Sequence, residues 1–216
     1  MEKTAIILAS SISREFYSKK AILELEGKPL ITYIIQSVED IVEEIIVVTD
    51  SYEIAEAYSN FVPSGKFVVN INKNKNELSD VVTGLEAAQG EYSLVLPAGS
   101  LFVSPELITL LFDLCIGKNA VVPRWTNQEC EPLHAVYNTK ETLEIVNTVL
   151  SEGETDMSCA VERLRGVRYL STMVIEQLDP DFKSFFTVTT PIALKKALTM
   201  AKPKTKRKVK TRKKNN

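Results

Sequence analysis

TAIILASSISREFYSKKAILELEGKPL, residues 4–30, sets three features in a row. Ala5–Ala9 is an apolar run of strand length with no polar break, as expected of a strand buried on both faces. Ser10–Ser18 is a short polar loop, closed by Lys19 and Lys20. Leu23–Leu30 follows as Leu-x-Leu-x-Gly-Lys-Pro-Leu, and apolar residues at helical spacing continue through PLITYIIQSV to Val38. A buried strand, a small-residue loop and a basic residue at the loop's exit form a common cradle for phosphate groups, because backbone amides and a cation converge on one point.

Working outward, apolar runs alternate with amphipathic stretches. Glu44–Asp50 (EIIVVTD) and Lys66–Ile71 (KFVVNI) read as the second and third strands, with a helix over Ser51–Ser59 between them. A helix over Leu78–Gln89 is expected to stop at Gly90, and Tyr92–Leu96 (YSLVL) is the fourth strand. Ser104 caps a helix that opens with Pro105. Beyond it, strands are expected at Ala120–Arg124, Leu133–Tyr137 (antiparallel), Gly166–Leu170 and Phe185–Thr189, with helices at Thr139–Leu150 and Pro191–Met200. The order predicts an α/β protein with three α/β/α layers around a mostly parallel, Rossmann-like sheet. In such sheets ligands lie beyond the carboxyl ends of the strands. Ser10–Lys20, Thr49–Asp50 and Pro97–Phe102 are therefore expected on one edge.

Composition sets outer bounds. The 216 residues, 44% of them hydrophobic, supply one sizeable core. The domain is expected over 1–201, followed by a basic, disordered tail over 202–216. That tail holds nine of the 26 Lys and Arg residues and no acid, leaving 17 basic against 28 acidic residues in the body. Its charge suits nucleic acid, an acidic partner or the protein's own acidic body, and equally a solubilising role. It has no aromatic residue with which to stack on bases. Three scattered cysteines, Cys115, Cys130 and Cys159, exclude a disulfide framework or a CxxC zinc site. No apolar run has the ~20 residues of a membrane span, and a cytoplasmic location is expected.

The segments Leu8-Ala9-Ser10-Ser11-Ile12-Ser13-Arg14-Glu15-Phe16-Tyr17-Ser18-Lys19-Lys20, Leu25-Glu26-Gly27-Lys28-Pro29-Leu30, Gly84–Tyr92, Phe102–Leu107, Val121–Trp125 and Glu131–Tyr137 together resemble the MobA-type molybdenum cofactor guanylyltransferases, of the nucleotide-diphospho-sugar transferase-like fold. The resemblance covers about residues 4–198. It implies a nucleotidyltransferase that takes GTP and molybdopterin, with Mg²⁺ as cofactor. It also implies nucleotide contacts from Leu8, Ala9, Ser10, Ser11, Lys20 and Thr49, with Lys20 as the catalytic cation. Arg124, Glu131 and His134 would face the acceptor. His134, the only histidine, is on its own terms equally a hydrogen-bonded strand residue.

The family's loop runs Leu-Ala-Gly-Gly-x-Ser-x-Arg-Met-Gly-x-x-Lys. Here Ser10 and Ser11 replace the two glycines, Glu15 the arginine and Tyr17 the third glycine. The family's metal-binding aspartate falls on Gly99, and Asp50 and Asp80 are the remaining carboxylates considered for a metal. The family's Asn-x-Asn-Thr-Pro is Thr187-Val188-Thr189-Thr190-Pro191. Two other readings follow: a fold kept for binding or regulation without turnover, or a nucleotidyltransferase with another phosphorylated acceptor.

Overall fold

In a computed structural model, residues 2–10 and 23–201 are described. Ser11, Lys19, Lys20 and the 202–216 tail lie outside them.

A seven-stranded sheet forms the middle layer, in the order β5-β4-β1-β6-β8-β7-β9. β1 (Lys3–Leu8) is central, parallel to β4 (Glu44–Thr49) on one side and β6 (Tyr92–Pro97) on the other. β5 (Gly65–Val69) adds in parallel to β4. β8 (Ala135–Asn138) is antiparallel to both β6 and β7 (Ala120–Arg124), and β9 (Val167–Ser171) is parallel to β7. The mostly parallel sheet and the antiparallel turn of the Leu133–Tyr137 segment are both as the sequence predicts.

β1 shows why its apolar run must be buried on both sides. Ala5, Ile7 and Ala9 point into one core and Ile6 and Leu8 into the other. The first core is closed by α1 (Leu30–Val38), α4 (Pro105–Cys115) and Tyr58 of α2 (Tyr52–Ser59). The second is closed by α3 (Glu77–Ala87), α5 (Thr139–Ser151) and α6 (Met157–Arg163). Ser104 caps α4 as expected, its hydroxyl accepting from the Leu107 amide at 3.2 Å.

A third, smaller cluster ties down the carboxyl edge of the sheet. Leu25 and Leu30 flank a hairpin, β2 (Glu24–Leu25) and β3 (Lys28–Pro29), whose turn has Glu26 at φ 52° and Gly27 at φ 78°. Two left-handed residues in a row match the twist of a two-residue hairpin loop, and glycine is the residue that adopts this freely. Leu25 and Leu30 pack with Leu101, Val188 and Ala197, the last from α8 (Pro191–Ala201). A one-turn α7 (Thr172–Ile175) completes the helices.

Two expectations change. Phe185–Thr189 is not a strand: a 3-10 turn over Lys183–Phe185 leads into an irregular segment. β6 already has β1 and β8 on its two edges, so the segment runs past the end of β6, joined there by the Val188 amide donating to the Gly99 carbonyl at 2.9 Å. Gly90 does not stop α3, which ends at Ala87 with Ala88 as its cap. Its requirement is closeness instead: a Cβ there would lie 2.8 Å from the Thr4 amide nitrogen. Among the described residues, no helix is long and apolar enough to cross a membrane.

Candidate active site

The parallel strands β1, β4 and β6 all end on one edge, where Ser10, Thr49–Asp50 and Pro97–Phe102 end or follow them; the rest of the Ser10–Lys20 segment lies outside the described residues. The Ala9 amide donates to Val48 at 2.8 Å and the Ala98 amide to Leu8 at 3.0 Å, so the three strand ends are stitched together just before their loops. Leu8, Ala9 and Ser10 leave β1 fully buried. Thr49 is equally buried, and its hydroxyl lies within hydrogen-bonding distance of the carbonyls of Ser51 (3.2 Å) and Val68 (3.4 Å). Its side chain thus shapes the end of β4 and is not presented to solvent.

Beside this edge, Asn70, Ser79 and Asp80 form a buried polar knot. Asn70 Nδ2 donates to Asp80 Oδ1 at 2.6 Å and to Ser79 Oγ at 2.8 Å. Asn76 caps α3 in a reciprocal box with Ser79. Asp80 is therefore a partner of Asn70 at the start of α3.

On the other side of β6 lies a cleft of about 390 Å³, lined by Pro97, Glu131, His134, Phe185, Thr187 and Thr189, with Glu77 and Asp156 at its margin. Two of its lining residues, His134 and Thr187, are joined behind it through buried Ser100. His134 Nε2 is 2.8 Å from Ser100 Oγ, which is 3.0 Å from Thr187 Oγ1. His134 Nδ1 is buried without a hydrogen bond, 3.8 Å from Glu131 Oε2. Burial pulls the His134 pKa down to about 4, so the imidazole is neutral at physiological pH. Burial raises Glu131, against the pull of the Trp125 indole, which donates to Glu131 Oε1 at 2.7 Å. Glu77 is raised by burial too, opposed by the Met157 amide it accepts from at 3.0 Å.

Glu131 and His134, which the resemblance assigns to the acceptor, line this one cleft. Arg124 does not line this cleft: its guanidinium lies over the Tyr169 ring, 4.1 Å from the centroid, in a separate hollow beyond β7 that shares Glu131 and Ser158 with the cleft and is also lined by Trp125. Ser100, Thr187 and Phe185 were not singled out from sequence as ligand-facing. The Thr187 hydroxyl, standing where the family has an amide, was the available signal. The cysteines are poor nucleophiles: burial raises all three thiols, Cys115 to about 12.

The described residues do not fit the metal that the resemblance implies. A Cβ on Gly99 would lie 2.6 Å from the Val188 carbonyl oxygen and 3.0 Å from its amide nitrogen, so the position lacks both a carboxylate and the space for one. Among the described residues, no group of three or more His, Cys, Asp or Glu is arranged to hold a metal ion.

A three-layer α/β protein with a mostly parallel sheet between helices is the architecture of the nucleotidyltransferases it superimposes on. It matches molybdopterin-guanine dinucleotide biosynthesis protein A from Archaeoglobus fulgidus with a TM-score of 0.76, over 91% of this chain and 97% of that one, at 22% identity. It matches 4-diphosphocytidyl-2C-methyl-D-erythritol synthase from Anaerococcus prevotii with a TM-score of 0.72, over 92% and 95%, at 15% identity. Residues 5–167 match the MobA-like NTP transferase domain, and the chain belongs to that family. In sequence it is similar to a probable molybdenum cofactor guanylyltransferase of Methanosarcina mazei, 27% identical over 208 residues that cover 94% of this chain and 92% of the relative.

Proposed function

We propose that this protein transfers GMP from GTP to molybdopterin. The observation that carries this is the family match joined to the Glu131–His134 cleft, which opens beside the strand ends where the fold binds ligands. In the reaction, an oxygen of the acceptor's terminal phosphate attacks the α-phosphorus of GTP in line, a new P–O bond forms, and pyrophosphate leaves. Positioning and charge stabilisation supply most of the catalysis in such a transfer. Ser10 begins the loop that would meet the triphosphate, and Ser11 and Lys20, assigned to the same loop, lie outside the described residues. The neutral His134 holds Ser100 and Thr187 in place and keeps Nδ1 for a ligand. Glu131, fixed by Trp125, offers a carboxylate to N–H groups of the acceptor.

Gly99 favours a second reading, in which the fold binds its nucleotide without turnover, because the family's metal ligand is missing and its space is filled by Val188. Calorimetric titration of the full chain with GTP, CTP and ATP tests what both readings share. GTP is expected to bind at least about tenfold more tightly than the other two, a difference of ~1.4 kcal/mol. Equal affinities, or no heat with GTP, would remove the guanylyl assignment.

A further inference from the structure

A hollow of about 880 Å³ lies beside the 390 Å³ cleft and shares Glu131 and Phe185 with it. Its volume is that of a small-molecule site. Four aromatic rings line it. Trp125 stands 5.0 Å from Phe182 at 58° and 5.6 Å from Phe185 at 64°, centroid to centroid. Phe186, on the same wall, carries Lys196 Nζ 5.1 Å from its ring centre. Lys183 lines the hollow too, with Asp181 3.6 Å away.

The loop that carries the rings is held in an unfavourable shape. Phe182 has φ 48°, a left-handed conformation that a bulky residue seldom adopts. It is locked by buried Asp179: the Phe182 amide donates to the Asp179 carbonyl at 3.0 Å and the Ser184 amide to Asp179 Oδ2 at 2.6 Å. Backbone strain that the surroundings over-determine collects at ligand sites. Here it turns Phe182 toward Trp125.

We infer that this aromatic hollow binds the ring of the phosphate-bearing acceptor. A flat nitrogen heterocycle would lie against Trp125 and Phe185, present its N–H edge to Glu131, and leave its phosphate to Lys183 and Lys196. Flat faces favour stacked or tilted aromatic partners, a carboxylate accepts from adjacent N–H groups, and ammonium groups suit phosphate as point charges. Pterins and guanine share the same amino-lactam edge. The hollow lies on the β7 side of β6, away from Ser10 on β1, and this assigns it to a pterin phosphate and not to the nucleotide. The inference rests on the guanylyl-transfer reading for the identity of the acceptor.

Trp125 is the only tryptophan; it also lines the Arg124 hollow beyond β7, so the dependence on Lys183 and Lys196, which line this hollow and not that one, assigns a quench to this site. The full chain is titrated with a pterin carrying a phosphate ester on its side chain, with GTP, and with inorganic phosphate. The pterin phosphate is expected to quench Trp125 saturably, and the other two are not. In the double variant Lys183→Ala/Lys196→Ala its affinity falls about tenfold or more, while calorimetric GTP affinity is unchanged. Trp125→Phe, read by pterin fluorescence, keeps the lysine dependence. No quench by the pterin phosphate, equal quenching by GTP, or wild-type affinity in the lysine variant would overturn the inference. Pyrophosphate release with an unchanged acceptor KM in the lysine variant would overturn it and leave the transfer reading standing. Saturable, lysine-dependent quenching without pyrophosphate release would support the site and count against the transfer reading.

Discussion

Gly99→Asp, the change that restores the family's carboxylate, is expected to destabilise the protein by about 3 kcal/mol and to bring no gain in GTP affinity. The new Cβ would meet the Val188 backbone at 2.6 Å. Backbone atoms yield less readily than the end of a side chain, and this backbone is pinned twice. The Val188 amide donates to the Gly99 carbonyl, and the Val188 side chain is fully buried with Leu25, Leu30, Leu101 and Ala197. Relief would require the 187–190 segment to leave the edge of the sheet, carrying Thr187 away from Ser100. For a chain of this size the loss corresponds to a fall of roughly 6–12 °C in melting temperature. Urea unfolding and GTP calorimetry on the variant check both halves. Wild-type stability with tighter Mg²⁺-dependent GTP binding would show that Val188 gives way and that the metal position is still usable.

The second large effect is in the pH dependence of stability. Folded His134 takes up a proton only near pH 4, because it is buried, whereas in the unfolded chain a histidine does so near pH 6.5. Between these values the unfolded state binds more protons, so stability declines as the pH falls. His134 accounts for a loss of about 3 kcal/mol from pH 7 to pH 4, and for no further loss below. Above pH 7 it adds no pH dependence. Carboxylates also lose their partners in acid, so the decisive quantity is a difference. Urea midpoints at pH 7 and pH 4.5 should converge between wild type and His134→Gln, with the variant less stable at pH 7 and nearly equal at pH 4.5. Parallel curves would mean that His134 is not held neutral in the fold.

The sheet was legible in the sequence because its parallel strands are buried on both faces. Ala5–Ala9 and Glu44–Asp50 leave no other way to hide unbroken apolar residues. The helix start at Ser104 was legible for the same local reason that it forms, a side chain that satisfies an exposed amide, whereas the Asn76 cap of α3 was read as loop. The misreadings lie where tertiary packing decides. FFTVT has the alternation of a strand, yet both edges of β6 are taken, so it crosses the sheet's end. Met157–Arg163 is too short for its periodicity to stand out, and it is helical because Asp156 caps it and Met157, Ala160 and Val161 complete the second core. Glu131 and His134 could be paired from one motif. Ser100 and Thr187 could not be paired with each other, because 87 residues separate two hydroxyls that touch. Trp125 and Phe182 meet for the same kind of reason. The sequence showed that Gly99 lacks a carboxylate, and only the fold shows that Val188 has filled the space.

The central claim is that this chain makes a guanine dinucleotide. Full-length protein is incubated with GTP labelled at the α-phosphate and with molybdopterin, with and without added Mg²⁺, and the products are separated by mass. The account predicts label in a molybdopterin–GMP conjugate and an equimolar release of pyrophosphate. GTP binding with no labelled conjugate under either condition would contradict it, and would assign the fold to binding without turnover.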